Sequence, residues 1–168
     1  VALFTSRGSS AATTGTTWAN TTNAYDGTAG TNTNTYATYT TATNAAVGTL
    51  TVSGYNFSSI PDGVTIIDVS FTVRSFVATT GRWTSTTIRP VISGTPISTL
   101  STATLQNAVN SQTFVKTDIT LAQLKNAGFG VVFSATKSGT QSSVASLDFI
   151  DVIVEYGSSI ETWKELYL

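Results

Sequence analysis

The segment Val64–Ala78, VTIIDVSFTVRSFVA, decides the fold. Ile67, Val69, Phe71, Val73, Ser75 and Val77 alternate with Asp68, Ser70, Thr72, Arg74 and Phe76. That is the two-residue period of a β-strand with one buried face. Immediately before it, Ser59-Ile60-Pro61-Asp62-Gly63 is a turn, with proline fixing φ and Asp-Gly supplying the reversal. Working outward, further strand signals lie at Thr35–Ala42, around Leu50 and Val52, at Thr84–Ile92, Gln112–Ile119, Phe129–Thr136 and Leu147–Tyr156. Pro90 cannot donate to a ladder, which pushes its strand toward an edge or a bulge. Gly94 to Val109 reads as a long connection, and Lys137–Ser143 as a polar hairpin loop.

Helix is almost absent from this pattern. Thr120-Leu121-Ala122-Gln123 carries a capping-box spacing and predicts one or two helical turns before Gly128. Trp18–Asn34 is rich in turn formers and predicts a long ordered loop. Seven or eight strands joined by short turns predict an all-β chain, an antiparallel β-sandwich of jelly-roll or Greek-key topology. Val1 to about Thr17 reads as an extended N-terminal arm, 18–156 as the sandwich domain, and 157–168 as a hinge and docking peptide. In that last stretch Ile160, Trp163 and Tyr167 fall at helical spacing within a short apolar tail. The tail either folds back on its own domain or docks on a neighbouring subunit; in the second case Leu3, Phe4, Ile160, Trp163, Leu166 and Tyr167 are the anchors.

Composition narrows the chemistry. The 168 residues include no histidine, cysteine or methionine, and about a fifth are threonine, far above ordinary usage. Without histidine a Ser-His-Asp triad is impossible, and zinc, copper and iron sites lose their usual ligands. A Ser-Lys dyad would need one of Lys116, Lys125, Lys137 or Lys164 buried beside a hydroxyl, yet these lysines sit in polar sequence contexts. Calcium needs only oxygen ligands, but the loop around Asp26 lacks the spacing of a calcium loop. Among the carboxylates, Asp148 and Asp151 are three apart and fall on opposite strand faces, whereas Asp151 and Glu155 share one. Asp68 joins them if its strand is the neighbour, making an acidic patch whose ordinary reading is a solvated strand face. No enzyme activity and no cofactor are expected.

Charged residues make up 10% of the chain and the net charge is −1. The polar surface is therefore hydroxyl and amide, with little repulsion to keep copies apart. There is no run of Lys or Arg to neutralise phosphates, so direct nucleic-acid binding is not expected. No stretch has the length of a membrane-spanning helix, and Val1–Ser10 lacks the apolar run of a signal peptide. Aromatic residues in polar neighbourhoods, Trp18, Tyr25, Tyr36, Tyr39 and Trp83, are candidates for stacking on sugars. Trp18 reads better as core; Tyr39 and Trp83 are kept as glycan-stacking candidates, with Trp83 undecided between the two roles.

These motifs resemble a β-sandwich family of tailed-phage virion proteins. The resemblance rests on Trp18-Ala19-Asn20, Asp26-Gly27, Tyr36-Ala37-Thr38, Phe57, Ile60-Pro61-Asp62-Gly63 and the strand Ile66–Val73. It closes with Phe129-Gly130-Val131 and Leu147-Asp148-Phe149-Ile150-Asp151-Val152-Ile153-Val154-Glu155-Tyr156. It spans about Trp18 to Tyr156, and the Thr/Asn insertion before Tyr36 departs from the compact pattern. The resemblance implies a non-enzymatic virion protein, assembled in the host cytoplasm: a capsid decoration, head-fibre or minor tail component. Its partners would be other virion proteins, major capsid or tail, and further copies of itself. The alternative is a minor tail or fibre protein whose jelly roll recognises a cell-surface glycan.

Overall fold

The computed structural model describes residues 1–15, 17–25, 36–79, 81–103 and 110–158. It contains eleven strands among these residues: β1 (Ala2–Arg7), β2 (Ser10–Thr13), β3 (Ala37–Thr41), β4 (Val47–Ser53), β5 (Val64–Val77), β6 (Trp83–Ile92), β7 (Thr95–Pro96), β8 (Ser101–Ala103), β9 (Asn110–Lys116), β10 (Phe129–Lys137) and β11 (Ser143–Ser158). A 3-10 turn, Thr21–Ala24, and one short helix, α1 (Leu121–Leu124), complete it. All strand pairings are antiparallel, in two sheets. The first, sheet A, runs β1-β11-β5-β9, with β3 also on β11; the second, sheet B, runs β2-β4-β10-β6-β7, with β8 also on β6. The orders β3-β11-β5-β9 and β4-β10-β6-β8, with the chain crossing between sheets at each step except from β6 through β7 to β8, make a jelly roll. The expected sandwich is present.

Alternation explains which side chains fill the interior. Val69, Phe71, Val73 and Val77 of β5 face Leu50 and Val52 of β4 and Val131, Phe133 and Ala135 of β10 across the sandwich, all buried. Each such side chain contributes about 1.5–3 kcal/mol on leaving water. The ends are closed by aromatic stacks. Trp18 stacks on Tyr39 at 5.8 Å and meets Phe133 edge-on, while Tyr39 meets Trp83 at 5.9 Å. At the other end Phe57 contacts Phe4, Tyr55 and Phe129. Gly48 exists for the first stack, because a Cβ there would lie inside the Tyr39 ring.

Several expectations are corrected. The N-terminal arm is part of the sandwich: β1 pairs with β11 from Ala2↔Tyr156 to Arg7↔Asp151, and β2 pairs with β4. Between them the chain changes sheets at Gly8, where a Cβ would collide with Val52 and lie 2.9 Å from the Ser53 carbonyl oxygen. The expected hinge at Gly157 is also strand, since Gly157 and Ser158 pair with Thr65 and Val64 of β5. The long connection from Gly94 contains β7 and β8. Pro90 lies in β6 with β10 on one side and β7 and β8 on the other. Its carbonyl accepts from Ile97 N–H at 3.1 Å, so its missing N–H faces the gap between β7 and β8 rather than β10. The Thr120–Gln123 capping box forms as expected. Lys125, just after it, donates to Asp62 at 2.6 Å, holding that carboxyl below its usual range and tying the turn before β5 to α1.

Candidate functional site

Two irregularities in the ladder arrange the outer face of sheet A. The register shifts between Leu147 and Phe149, so Asp148 is an extra residue in β11. Alternation alone placed Asp148 and Asp151 on opposite faces; the bulge cancels that. Asp148, 3% exposed, lies 3.3 Å from the Arg74 guanidinium, and Arg74 and Asp151 both face outward. Asp151 is held in turn by Arg7, its direct cross-strand partner, through two bonds of 2.6 and 2.7 Å. The Arg7 guanidinium also sits 4.1 Å over the Phe149 ring. Removal from water, reinforced by Asp151 and opposed by Arg7, holds the Tyr55 hydroxyl well above its ordinary pKa. That hydroxyl donates to the Ile150 carbonyl at 3.2 Å.

The second shift, between Glu155 and Tyr156, makes Ile67 the extra residue of β5. Ile67, grouped by period with buried Val69, is instead 43% exposed, and Ile66 packs against the core in its place. Glu155 and Asp68 then stand directly opposite each other on the outer face. The acidic patch expected from sequence therefore forms from Asp68 and Glu155, while Asp151 is neutralised by Arg7. Leu3 stands beside Glu155, Val115 beside Ser70, and the Ile67 side chain lies over Gly157. Leu3 and Val115 are 70% and 55% exposed, so the acidic pair has an apolar border.

The outer face of sheet B has another character. Thr49, Thr51 and Ser53 of β4, Ser134 and Thr136 of β10 and Thr87 of β6 point outward. Hydroxyls bond across it, Thr49 to Ser134 at 3.3 Å and Ser10 to Ser53 at 2.8 Å. Among the described residues Arg89, opposite Val132, is the one charged side chain on this face. Its Nε is buried without a hydrogen-bond partner among the described residues.

At the 143–147 end of sheet A an open groove of about 490 Å³ is lined by Asn20, Tyr36, Thr38, Phe76, Val144 and Ser146. Tyr36 and Phe76 meet edge-on at 4.7 Å.

The residues singled out from sequence are placed as follows. Tyr39 and Trp83 are 7% and 5% exposed, and Trp83 Nε1 donates to Ser143. Neither ring offers a face to a sugar, because both are consumed by the end stack; Trp18 is core, as expected. Phe4 is partly buried, packed on Phe57 against the core, which leaves Leu3 as the exposed member among the described arm anchors. Ile160, Trp163, Leu166 and Tyr167 lie outside the described residues. The polar setting read for the lysines is corrected twice. Lys137 is buried, donating to the Ser138 and Gly139 carbonyls, and Lys116 is buried with Nζ 2.8 Å from Thr99 Oγ1. Among the described residues no cluster of three or more carboxylates is arranged to hold a metal. Tyr36 was one of five aromatic candidates, and what sequence did not show is that it lines an open groove, since that depends on the partner Phe76 from β5.

No family model and no curated protein matches the chain. Among solved structures it is similar to the CBM36-1 domain of a multidomain xylanase from the hindgut metagenome of Trinervitermes trinervoides, at 10% identity. That match covers 95% of this chain and 100% of the other with a TM-score of 0.39, too low to carry an argument about function.

Proposed function

We propose that the protein is a non-enzymatic structural component of a tailed-phage particle, a capsid decoration protein that adheres to neighbouring subunits. The observation that carries this reading is the outer face of sheet B. Hydroxyls from β4, β10 and β6 form a nearly uncharged surface, which meets another polar protein surface without charge repulsion and with little side-chain entropy to lose. The resemblance of residues Trp18–Tyr156 to virion sandwiches supports the same reading. Adhesion then acts through sheet faces rather than an exchanged N-terminal arm, since β1 and β2 are committed to their own sandwich. The tail from Ile160 to Leu168 supplies a further anchor.

The test is cosedimentation of purified protein with assembled particles that lack it. Saturable binding is expected, reduced at least tenfold by Thr51→Glu with Ser134→Glu in a protein of unchanged fold. No binding to particles would overturn the reading. Deleting Ile160–Leu168 should leave the domain folded and lower its incorporation.

The Tyr36–Phe76 groove supports a second reading, a tail or fibre domain that recognises a host glycan. An aromatic floor beside Asn20 and Thr38 offers a sugar both a stacking ring and hydrogen-bonding groups. Glycan-array binding lost in Tyr36→Ser and Phe76→Ala, with particle binding absent, would favour it over decoration.

A further inference from the structure

We propose that copies of this protein associate head to tail, the acidic outer face of sheet A seating on the Arg89 face of sheet B of the next copy. This rests on the adhesive reading above and names one partner for it, a second copy of the chain.

The argument begins with a like-charge pair. Asp68 and Glu155 are directly opposed across β5 and β11, an arrangement that destabilises an isolated sheet. Among the described residues neither has a cationic partner. Asp68 receives only a long bond from Ser70, at 3.5 Å, while the two arginines of that face are engaged by Asp148 and Asp151. On the opposite side of the sandwich the complementary defect occurs. Among the described residues Arg89 is the one charge on its face, with Nε out of water and without a hydrogen-bond partner. A cation lacking an anion and an anion pair lacking a cation, on opposite faces of one molecule, are satisfied together when copies stack face to back.

Apolar groups are placed to support the contact. Leu3, Ile67 and Val115, three of the largest exposed apolar side chains, border the acidic pair. Val132 lies beside Arg89. The joined surfaces differ, so the contact is heterologous and propagates into a ring or a row instead of closing as a two-fold dimer. A face four strands wide and about seven residues long measures roughly 19 by 23 Å, about half the ~800 Å² per partner of a stable complex. A single contact is therefore weak, and it becomes firm where a particle already holds copies side by side.

Sedimentation velocity of the full chain at low ionic strength, up to about 1 mM protein, tests this. Wild type should self-associate, and added salt should reverse it. Arg89→Glu alone, and Asp68→Lys with Glu155→Lys alone, should each weaken association at least tenfold. An equimolar mixture of those two variants should recover association in alternating order, because both faces of each variant then complement faces of the other. Combining all three changes in one chain should restore self-association. A monomeric wild type, or folded variants that fail to pair when mixed, would overturn the proposal. Particle binding by a protein that stays monomeric would overturn it and leave the decoration reading standing.

Discussion

Single residues show where alternation is a sufficient guide and where it fails. Val69, Phe71, Val73 and Val77 were legible as core because nothing interrupts the period between them. Ile67 and Asp148 were not, because each is the extra residue of a bulge, and a bulge is set by the partner strand rather than by local sequence. Trp83 was undecided for a related reason: its neighbours in sequence are polar, and its burial is decided by Tyr39 and Ser143 from elsewhere. Three substitutions test this scale. Gly48→Ala should cost about 1–3 kcal/mol by forcing Tyr39 from its stack, read as a lower midpoint in urea. Thr86→Val should stabilise by about 1 kcal/mol, because the Thr86 hydroxyl is buried without a partner among the described residues and valine keeps the shape. Tyr55 has a folded pKa raised above its unfolded value of about 10. Its contribution is fully present below that pH and is lost as pH rises toward the folded value. Tyr55→Phe should therefore lose about 1 kcal/mol at neutral pH and show a flatter stability profile above pH 10.

Among the elements, the strands from β3 onward were readable except β7 and β8, which lie in what read as a connection, and the first fifteen residues were misread. Leu3 and Phe4 were the only strong apolar signals seen there after Val1, too few to reveal a strand by period. What holds β1 in place is long-range: the Arg7–Asp151 bridge joins residues 144 apart in sequence, with Phe149 beneath the guanidinium. Such a bidentate, partly buried pair is stronger than a surface ion pair. Asp151→Asn should cost about 2 kcal/mol and raise amide exchange selectively in Ala2–Arg7. An equal rise throughout both sheets would show that β1 does not open on its own. The acidic patch was legible as a type, but its assembly into a bordered surface depended on the register of β11 against β5 and β1.

For the molecule as a whole, the sandwich followed from strand count and turn spacing, while the difference between its two outer faces did not. Sequence shows a chain poor in charge; only the topology shows the charges sorted, with ion pairs and the acidic couple on sheet A and a lone arginine on sheet B. A hydroxyl surface of this kind suits a protein whose work is contact, and the sorting gives that contact a direction. The most direct test is a cryo-EM reconstruction of a particle carrying the protein. It should show β4, β10 and β6 turned toward adjoining protein, with Thr51, Ser134 and Arg89 in the interface. A bound protein whose sheet B face points into solvent, touching neither capsid nor another copy, would contradict the account.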